Sequence, residues 1–538
     1  MARKTRRPKA TADATLTALA TACPGCGATT NVDYYNRRTL TTLQGVTRFR
    51  LQIRRCHRTA CALFLRPLRP EAEGRLALPH HEFGLDVVAL TGALRHAEHR
   101  SVPEIHQALR ARGVVLSQRS VSNLLDRYDE LCALTVADLD RLGPILVKQG
   151  KVVLAIDGLQ PDVGHEVLWV IRDCISGEIL LARSLLSSTQ DDLAGLLGEV
   201  KGRLDEMEVP VGGAVSDGQH SIRNAIAKAL PGVPHQLCQF HFLREAGLPV
   251  YEMDRHAKKE LKKKVRGVRA IERKAERRDD AMAKVVGGYC SAVRSALTDD
   301  GRPPLAASGL LLHERLSAIA ASIDRLRGQL PKELARLRQL LGKGLEQTRQ
   351  TWPAVEQGFA LVHEVAHVLA NEDKRRAKTV KRRVREVVER MQAKAEQAER
   401  QGEEKLSAGL RHFAKVYDSY EPGLYHCYSV ADVPRTNNEL EQTFGSHRYH
   451  ERRASGRKVA SAGLVVRGSV RLVAGLATRL RVRTGEELAP KRPEDWHSQR
   501  AELERRRLAR VRQRRFRRNP HAYLRDLEKL YRQSGLLS

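Results

Sequence analysis

Aromatic side chains are scarce in this sequence: Phe, Trp and Tyr together make up 4% of its 538 residues. Proteins that bind single-stranded nucleic acid without sequence preference stack the bases on aromatic side chains. Sequence-specific RNA recognition likewise uses aromatic rings to hold splayed bases. The composition therefore disfavours both kinds of binding.

Long apolar runs are also missing, since no stretch approaches the roughly 18 to 20 uninterrupted apolar residues of a membrane span. The start, Met-Ala-Arg-Lys-Thr-Arg-Arg-Pro-Lys, lacks the hydrophobic segment of a signal peptide. The nine cysteines are an odd number spread along the chain, which argues against a secreted disulfide framework. We therefore expect a cytoplasmic protein.

Acidic residues are outnumbered, with 63 Asp and Glu against 94 Lys and Arg, which gives a net charge of +31. Such an excess favours a polyphosphate partner. Together with the few aromatics, it indicates double-stranded DNA held through its phosphates. The length predicts about three or four domains.

Four of the cysteines form two short knuckles, Cys23-Pro-Gly-Cys26 and Cys56-His-Arg-Thr-Ala-Cys61, with strand-like sequence between them. Four thiolates satisfy tetrahedral zinc, and a small segment without a large core gains folding energy from the metal. The pattern predicts a zinc ribbon with structural Zn²⁺. His57 could replace one cysteine, and a redox pair or a chance grouping are the alternatives.

A helix-turn-helix pattern follows. Ser101 is placed to cap a helix to about residue 112, Gly113 to break it, and Ser117 to cap a second helix through Tyr128. Val121, Leu124 and Leu125 would face inward. The outer positions carry polar types that contact bases and phosphates, which makes the candidate DNA-binding residues Ser117, Gln118, Arg119, Ser122, Asn123 and Arg127. A plain helical hairpin with a solvated face is the alternative.

Two aspartates occupy matching settings, Asp157 in Val-Leu-Ala-Ile-Asp-Gly and Asp217 in Ala-Val-Ser-Asp-Gly. Each ends an apolar run typical of a buried strand, and the glycine that follows would let the chain turn. Far downstream comes Thr-Asn-Asn-Glu-Leu-Glu, ending at Glu441. Three carboxylates can hold two Mg²⁺ ions, which clamp the attacking and leaving oxygens of phosphodiester chemistry. Asp-Gly is also a common turn dipeptide, and Glu441 could instead complete a capping box with Asn438.

The segment 151–247 has the order strand, hairpin, helix, strand, helix. This order is that of an RNase H-like core with a central parallel strand pair. We expect a multidomain α/β protein in which a large all-α insertion interrupts this core.

These motifs together resemble those of the DDE transposases of the RNase H-like superfamily, in the Mutator-like group of bacterial insertion-sequence enzymes. The resemblance covers roughly 151–470 and implies Asp157, Asp217 and Glu441 as the catalytic, Mg²⁺- or Mn²⁺-binding residues. Glu439 is the alternative to Glu441. The family's Cys-x-x-His is matched by Cys238-Gln-Phe-His241, which implies an active-site supporting role, although a satisfied core histidine is the alternative.

The resemblance further implies that the zinc ribbon and helix-turn-helix bind transposon ends, and that two ends are brought together by a homodimer or larger assembly. Cations that follow Glu441 are expected to bind phosphates of the ends; they are Arg448, Arg452, Arg453, Arg457 and Lys458. The arginine-rich segment 500–518 predicts a basic helix that binds phosphate.

The separation from 217 to 441 (441 − 217 = 224 positions) far exceeds what one strand and one helix need, and 250–421 is helical in pattern. Apolar residues at spacings of three and four, from Val380 to Ala398, predict one helix stripe covered within the insertion or between protomers. The expected domains are a basic N-terminus with zinc ribbon (1–80), a helix-turn-helix domain (81–145), the first part of the core (146–249), the insertion (250–430), the second part with the glutamate (431–485) and a basic tail (486–538).

The predicted function is DNA transposition by strand cleavage and strand transfer. A noncatalytic DNA-binding regulator derived from such an enzyme, and a structure-selective nuclease on the same fold, are the alternatives.

Overall fold

The fold is that of a computed structural model, which describes residues 8–160, 166–298, 300–301, 304–326, 329–456 and 462–535. The chain divides into two compact units. Unit 1 comprises Met1–Val211 and Glu439–Ser538, and unit 2 comprises Gly212–Asn438. Helices and β-sheets both contribute to the described residues, which confirms the mixed α/β class.

The strands, in chain order, are β1 (Ala12–Leu16), β2 (Asn31–Thr42), β3 (Gly45–Arg55), β4 (Val152–Leu159), β5 (Val167–Asp173), β6 (Ile179–Leu185), β7 (Val211–Ser216) and β8 (His235–Leu237). The first ten helices are α1 (Glu71–Leu76), α2 (Leu85–His96), α3 (Val102–Ala111), α4 (Gln118–Ala137), α5 (Leu139–Gln149), α6 (Gln190–Glu206), α7 (His220–Ala229), α8 (Gln239–Ala246), α9 (Leu248–Lys264) and α10 (Val268–Ala275). The remaining helices are α11 (Ala281–Thr298), α12 (Ser308–Asp324), α13 (Lys332–Thr348), α14 (Trp352–Ala370), α15 (Ala377–Arg400), α16 (Glu404–Tyr420), α17 (Asn438–Ser455), α18 (Ala462–Leu480), α19 (Pro493–Arg518) and α20 (Pro520–Gly535).

Unit 1 begins with a three-stranded sheet in the order β1-β3-β2, in which β1 runs parallel and β2 antiparallel to β3. Alternate residues of β3 are buried, because Phe49, Leu51 and Ile53 pack with Leu40 and Ala77. This small core leaves the two cysteine knuckles at the ends of the hairpin, where Cys23, Cys56 and Cys61 form a cluster of their own.

The two helices predicted for the helix-turn-helix are α3 and α4. Ser101 caps α3 in a capping box with Glu104, and Ser117 caps α4, as the sequence predicted. Val121, Leu124 and Leu125 are buried, which confirms their inward direction. The second helix runs on to Ala137 rather than ending at Tyr128, because buried residues continue along it.

A second group of strands in unit 1 is antiparallel, with β5 paired to β4 on one side and to β6 on the other. The first five residues of β4 are buried, so the apolar run that preceded Asp157 in the sequence is a core strand. Helix α18 contacts β6, α2 and α4, and α19 contacts α4. The arginine-rich segment 500–518 lies within α19, so the prediction that it is helical is confirmed.

Unit 2 holds β7 from Gly212 onward, paired in parallel with β8, and the helices α7 to α16. The predicted stripe lies on α15, where the residues between Val380 and Ala398 at spacings of three and four are buried. Helices α14 and α16 pack against α15, so the stripe is covered within unit 2. Among the described residues, no helix has the length and apolar character needed to cross a bilayer.

Candidate active site and metal centre

Asp157 is the sixth residue of β4 in unit 1. It lies opposite Val170 of β5 and is half-buried, and its Oδ1 accepts a hydrogen bond of 2.7 Å from the N–H of Gly158. The strand continues through Gly158 to Leu159, so the prediction of a turn at this glycine is wrong. The glycine serves close packing instead, because a Cβ there would lie 2.9 Å from Val167 Cγ1 and 3.2 Å from the Trp169 ring.

Asp217 follows the last residue of β7, in unit 2. Here the predicted turn is confirmed, because Gly218 has a φ of +93°, a conformation that favours glycine. The Asp217 Oδ1 accepts a hydrogen bond of 3.0 Å from the N–H of Gln219, just before α7. The carboxylate is thus half-buried and held at the start of a helix.

Tyr420, the last residue of α16, holds this turn from the other side. Its Oη lies 3.0 Å from the Asp217 carbonyl oxygen and 2.8 Å from Glu245 Oε2. Arg223 lies over the Tyr420 ring at 4.5 Å and donates 2.6 Å from Nε to the Gly218 carbonyl. Burial, together with Glu245, raises the pKa of Tyr420, so the hydroxyl keeps its proton at neutral pH. Sequence reasoning missed this residue, since a tyrosine ending an apolar helix stripe gives no signal of its own.

Cys238, of the Cys-x-x-His motif, links two segments of unit 2. It is fully buried, its N–H donates 2.8 Å to the Ser216 carbonyl, and its Sγ accepts 3.3 Å from the N–H of Asn437. Ser216 directly precedes Asp217, and Asn437 directly precedes α17. His241, in the first turn of α8, is half-buried with its Nδ1 enclosed.

The two candidate glutamates lie in the first turn of α17. Glu439 is 75% exposed and forms a 2.9 Å ion pair with Arg172 of β5. Glu441 is half-buried. A step of two residues turns a helix by about 200°, so the two carboxylates leave α17 on opposite sides. The ion pair gives Glu439 a contact within unit 1.

The cations that follow Glu441 share its helix. Arg448 and Arg452 come seven and eleven residues after Glu441, close to whole numbers of helical turns, so all three leave α17 on one face. Arg448, Arg452 and Arg453 are exposed. Arg457 and Lys458 lie outside the described residues.

The four cysteines of the N-terminal sheet converge in unit 1. Their sulfur atoms all lie within 4.8 Å of one another, with 3.8 Å between those of Cys23 and Cys61 and 3.6 Å between those of Cys26 and Cys56. The N–H groups of Gly25 and Leu63 donate to Cys23 and Cys61. The Gly25 N–H is the main cause that lowers the pKa of Cys23 to about 7, against the effect of burial.

These distances fit a tetrahedral metal. Zinc–sulfur bonds of about 2.3 Å place the sulfurs of a tetrahedron roughly 3.8 Å apart. His57 is exposed and does not belong to the group. The four cysteines could therefore hold a structural metal ion such as Zn²⁺.

No family model matches the chain, and no curated protein gives a significant match. What these residues can do follows from their own chemistry and contacts.

The candidate DNA-binding residues of α4 separate into two groups. Gln118, Arg119 and Asn123 are exposed, whereas Ser117 and Ser122 are partly covered. Arg127 is 11% exposed, pairs with the fully buried Glu130 and lies 5.6 Å over the Trp496 ring. The side chains of the first group are therefore accessible, while the contacts of Arg127 are within unit 1.

A histidine cluster in unit 1 was not recognised from the sequence. His96 of α2 and His447 and His450 of α17 are buried, and His96 Nε2 lies 2.8 Å from Asp129 Oδ1 of α4. His99 Nδ1 lies 2.5 Å from His450 Nδ1. The members come from distant parts of the chain, and no local motif brings them together.

Proposed function

We propose that the protein is a DNA transposase, which binds transposon ends as double-stranded DNA and catalyses metal-dependent strand cleavage and strand transfer. The observation that carries the proposal is the double contact of Cys238 in unit 2. One residue fixes both the strand end that precedes Asp217 and the backbone that precedes the helix of Glu441.

The catalytic residues of the proposal are Asp157, Asp217 and Glu441. Their oxygen donors suit Mg²⁺ or Mn²⁺, and two such ions would supply charge neutralisation at the phosphate and activation of water or of a 3′-hydroxyl. The protein fixes the donors: Gly158 and Gln219 each donate an N–H to one aspartate oxygen. Tyr420 and Arg223 hold the backbone beside Asp217.

DNA recognition is assigned to two surfaces. The exposed Gln118, Arg119 and Asn123 of α4 would contact end DNA, in the manner of a recognition helix. On α17, Arg448 and Arg452 would bind backbone phosphates along the face that also carries Glu441. Synapsis of two ends would need a homodimer or a larger assembly.

The test is cleavage by the full-length protein on duplexes spanning the DNA that flanks its gene. With Mg²⁺ or Mn²⁺ we expect nicking at the element ends and joining of the freed 3′ ends to target DNA. Ca²⁺ serves as the control, because it prefers a looser oxygen shell than Mg²⁺ and does not strip the cysteine site.

Two results would overturn this assignment. Binding to the flanking duplex without cleavage under either metal would indicate a noncatalytic DNA-binding protein. Cleavage that follows branching of the DNA and ignores the end sequence would indicate a structure-selective nuclease.

We further propose that Cys23, Cys26, Cys56 and Cys61 bind one structural Zn²⁺ per chain. Cys56→Ser is expected to abolish zinc retention and to loosen the β1–β3 sheet, because structural zinc contributes folding energy on the order of 10 kcal/mol in small sites. Elemental analysis of the purified protein measures the stoichiometry, and limited proteolysis measures the loosening.

Cys174→Ser is the matched control, since Cys174 is a half-buried thiol outside the group. Equal zinc content in both variants would contradict the assignment of the four ligands.

A further inference from the structure

An open cavity of about 380 Å³ lies in unit 2 at the turn between α14 and α15. Three cations contribute to its wall, and none of the described lining residues is acidic. The lining residues are Ala370, Asn371, Lys374, Arg375, Tyr428 and Arg435. A concave surface with this charge attracts anions.

The turn that carries two of the cations is strained. Lys374 has a φ of +52°, in the left-handed region that few residues other than glycine and asparagine adopt. Asn371, at +49°, braces the turn through both side-chain ends: Oδ1 accepts 2.9 Å from the N–H of Arg375, and Nδ2 donates 2.9 Å to its carbonyl. Strained backbone of this kind is concentrated at functional sites.

The charges of the turn are unequally neutralised. Arg375 forms a 2.9 Å ion pair with Asp373. Lys374 is exposed and forms no ion pair with any residue that the structure describes. Its ammonium group is the cation at this cavity that a ligand can neutralise at the lowest cost.

Arg435 forms the facing wall with its guanidinium group anchored. Its Nη1 donates 2.6 Å to the carbonyl of Ala370, at the C-terminal end of α14. Tyr428 donates 2.5 Å to the neighbouring carbonyl of Leu369. A guanidinium fixed through one nitrogen presents its remaining N–H groups in a set direction, which suits recognition of phosphate.

The wall is also tied to the segments that the proposed reaction uses. The Arg435 carbonyl accepts 3.0 Å from the N–H of Gln239, whose Nε2 donates 2.8 Å to Tyr428 Oη. Gln239 follows Cys238, which contacts Ser216 and Asn437. A group bound in the cavity would thus be held at a fixed position relative to the Asp217 turn.

We propose that this cavity, the Lys374–Arg435 pocket, binds a phosphate group of the DNA backbone and holds a DNA strand on unit 2. The proposal rests on the proposed function for the identity of the polymer. Its test uses DNA affinity, so that it can be judged apart from cleavage.

The main variant is Lys374→Gln, measured by the salt dependence of binding to a flanking duplex and to an unrelated duplex of equal length. The logarithm of the DNA association constant falls linearly with the logarithm of the salt concentration. Loss of one phosphate contact makes this slope less steep by about 0.9. Because phosphate contacts carry no sequence information, we expect the same decrease for both duplexes. Lys405→Gln, an exposed lysine of α16, makes the same charge change in unit 2 and is expected to leave the slope unchanged.

A second variant separates binding from folding. Lys374→Gly relieves the positive φ and is expected to raise the Tm while causing the same loss of slope. An unchanged slope in both Lys374 variants would overturn the proposal. An equal loss in Lys405→Gln would also overturn it, because the effect would then be general charge.

Free phosphate and a deoxynucleoside monophosphate form the remaining arms, each titrated calorimetrically at constant ionic strength. One outcome is that the unsubstituted protein binds one of these ligands, Lys374→Gln does not, and the salt slope for DNA is the same in both. That outcome would assign the pocket to a small phosphate ligand and overturn the DNA assignment. A decreased DNA slope in a protein that cleaves no DNA would support the pocket and count only against the catalytic function.

Discussion

Asp217→Asn is expected to reduce DNA cleavage by at least about 10²-fold, the effect of removing one preorganised charge-stabilising group from an active site. Asparagine keeps an oxygen that can accept the N–H of Gln219, so the turn at Gly218 should retain its geometry. The variant loses the negative charge that a divalent ion requires. Single-turnover cleavage of the flanking duplex measures the effect, and unchanged duplex affinity shows that binding is intact.

The same loss is expected for Asp157→Asn and Glu441→Gln. Glu439→Gln is the matched control, because it makes the same chemical change two residues away and removes an ion pair whose carboxylate is 75% exposed. Exposed pairs of this kind contribute about 0–1 kcal/mol. Loss of activity in Glu439→Gln with activity retained in Glu441→Gln would reverse the assignment of the glutamate, and full activity in all four variants would place catalysis elsewhere.

Acidification from pH 7 to 5 is expected to destabilise unit 1 strongly, through His447 and His450. Burial is the main cause that lowers the pKa of His447 to about 3 and that of His450 to about 2. Positive groups near these rings add to the shift, and Asp129 of α4 opposes it for His447. The positive groups are Arg95 and His96 of α2, His99 after that helix, and Arg471 and Arg479 of α18.

The direction follows from proton uptake. Below about pH 6.5 the unfolded imidazoles take up protons, while the folded ones stay neutral until the pH approaches their lowered pKa values. Proton uptake therefore lowers the free energy of the unfolded state relative to the folded state, and stability is lost as the pH falls. Two histidines at about 1.4 kcal/mol per pH unit give a loss of roughly 4 kcal/mol by pH 5.

Denaturant unfolding at a series of pH values measures this loss, and His447→Leu provides the variant. Both ring nitrogens of His447 are buried without a hydrogen-bond partner among the described residues. The leucine variant should therefore fold at pH 7, and its unfolding should take up one proton fewer in acid. His521→Leu, at an exposed position of α20, is the control. An acid dependence in His447→Leu equal to that of the unsubstituted protein would exclude His447 as the cause.

Local chemistry explains which parts of the fold were predictable. Ser101 and Ser117 predict helix starts because an N-cap needs only a hydrogen bond to the N–H three residues along the chain. The stripe of α15 follows from helical periodicity, and the four cysteines follow from ligand spacing. Each of these signals lies within a short window of sequence.

Contacts between distant residues account for what the sequence did not predict. Tyr420 reaches Asp217, and His450 reaches His99, across hundreds of residues. Position 158 in β4 requires glycine because the side chains of Val167 and Trp169 leave no room for a Cβ. An Asp-Gly dipeptide does not show how large the side chains are that will pack against its glycine. The sequence alone therefore could not predict that the chain turns at Gly218 and stays extended at Gly158.

The fit between Gly218 and Tyr420 has an evolutionary consequence. A Cβ at position 218 would lie 2.7 Å from the Tyr420 ring, so the turn after β7 and the end of α16 are shaped to each other. Substitutions at the end of α16 are therefore constrained by the turn at Gly218. Exchange of 250–430 for a foreign helical domain would have to restore a residue of this shape at the position of Tyr420.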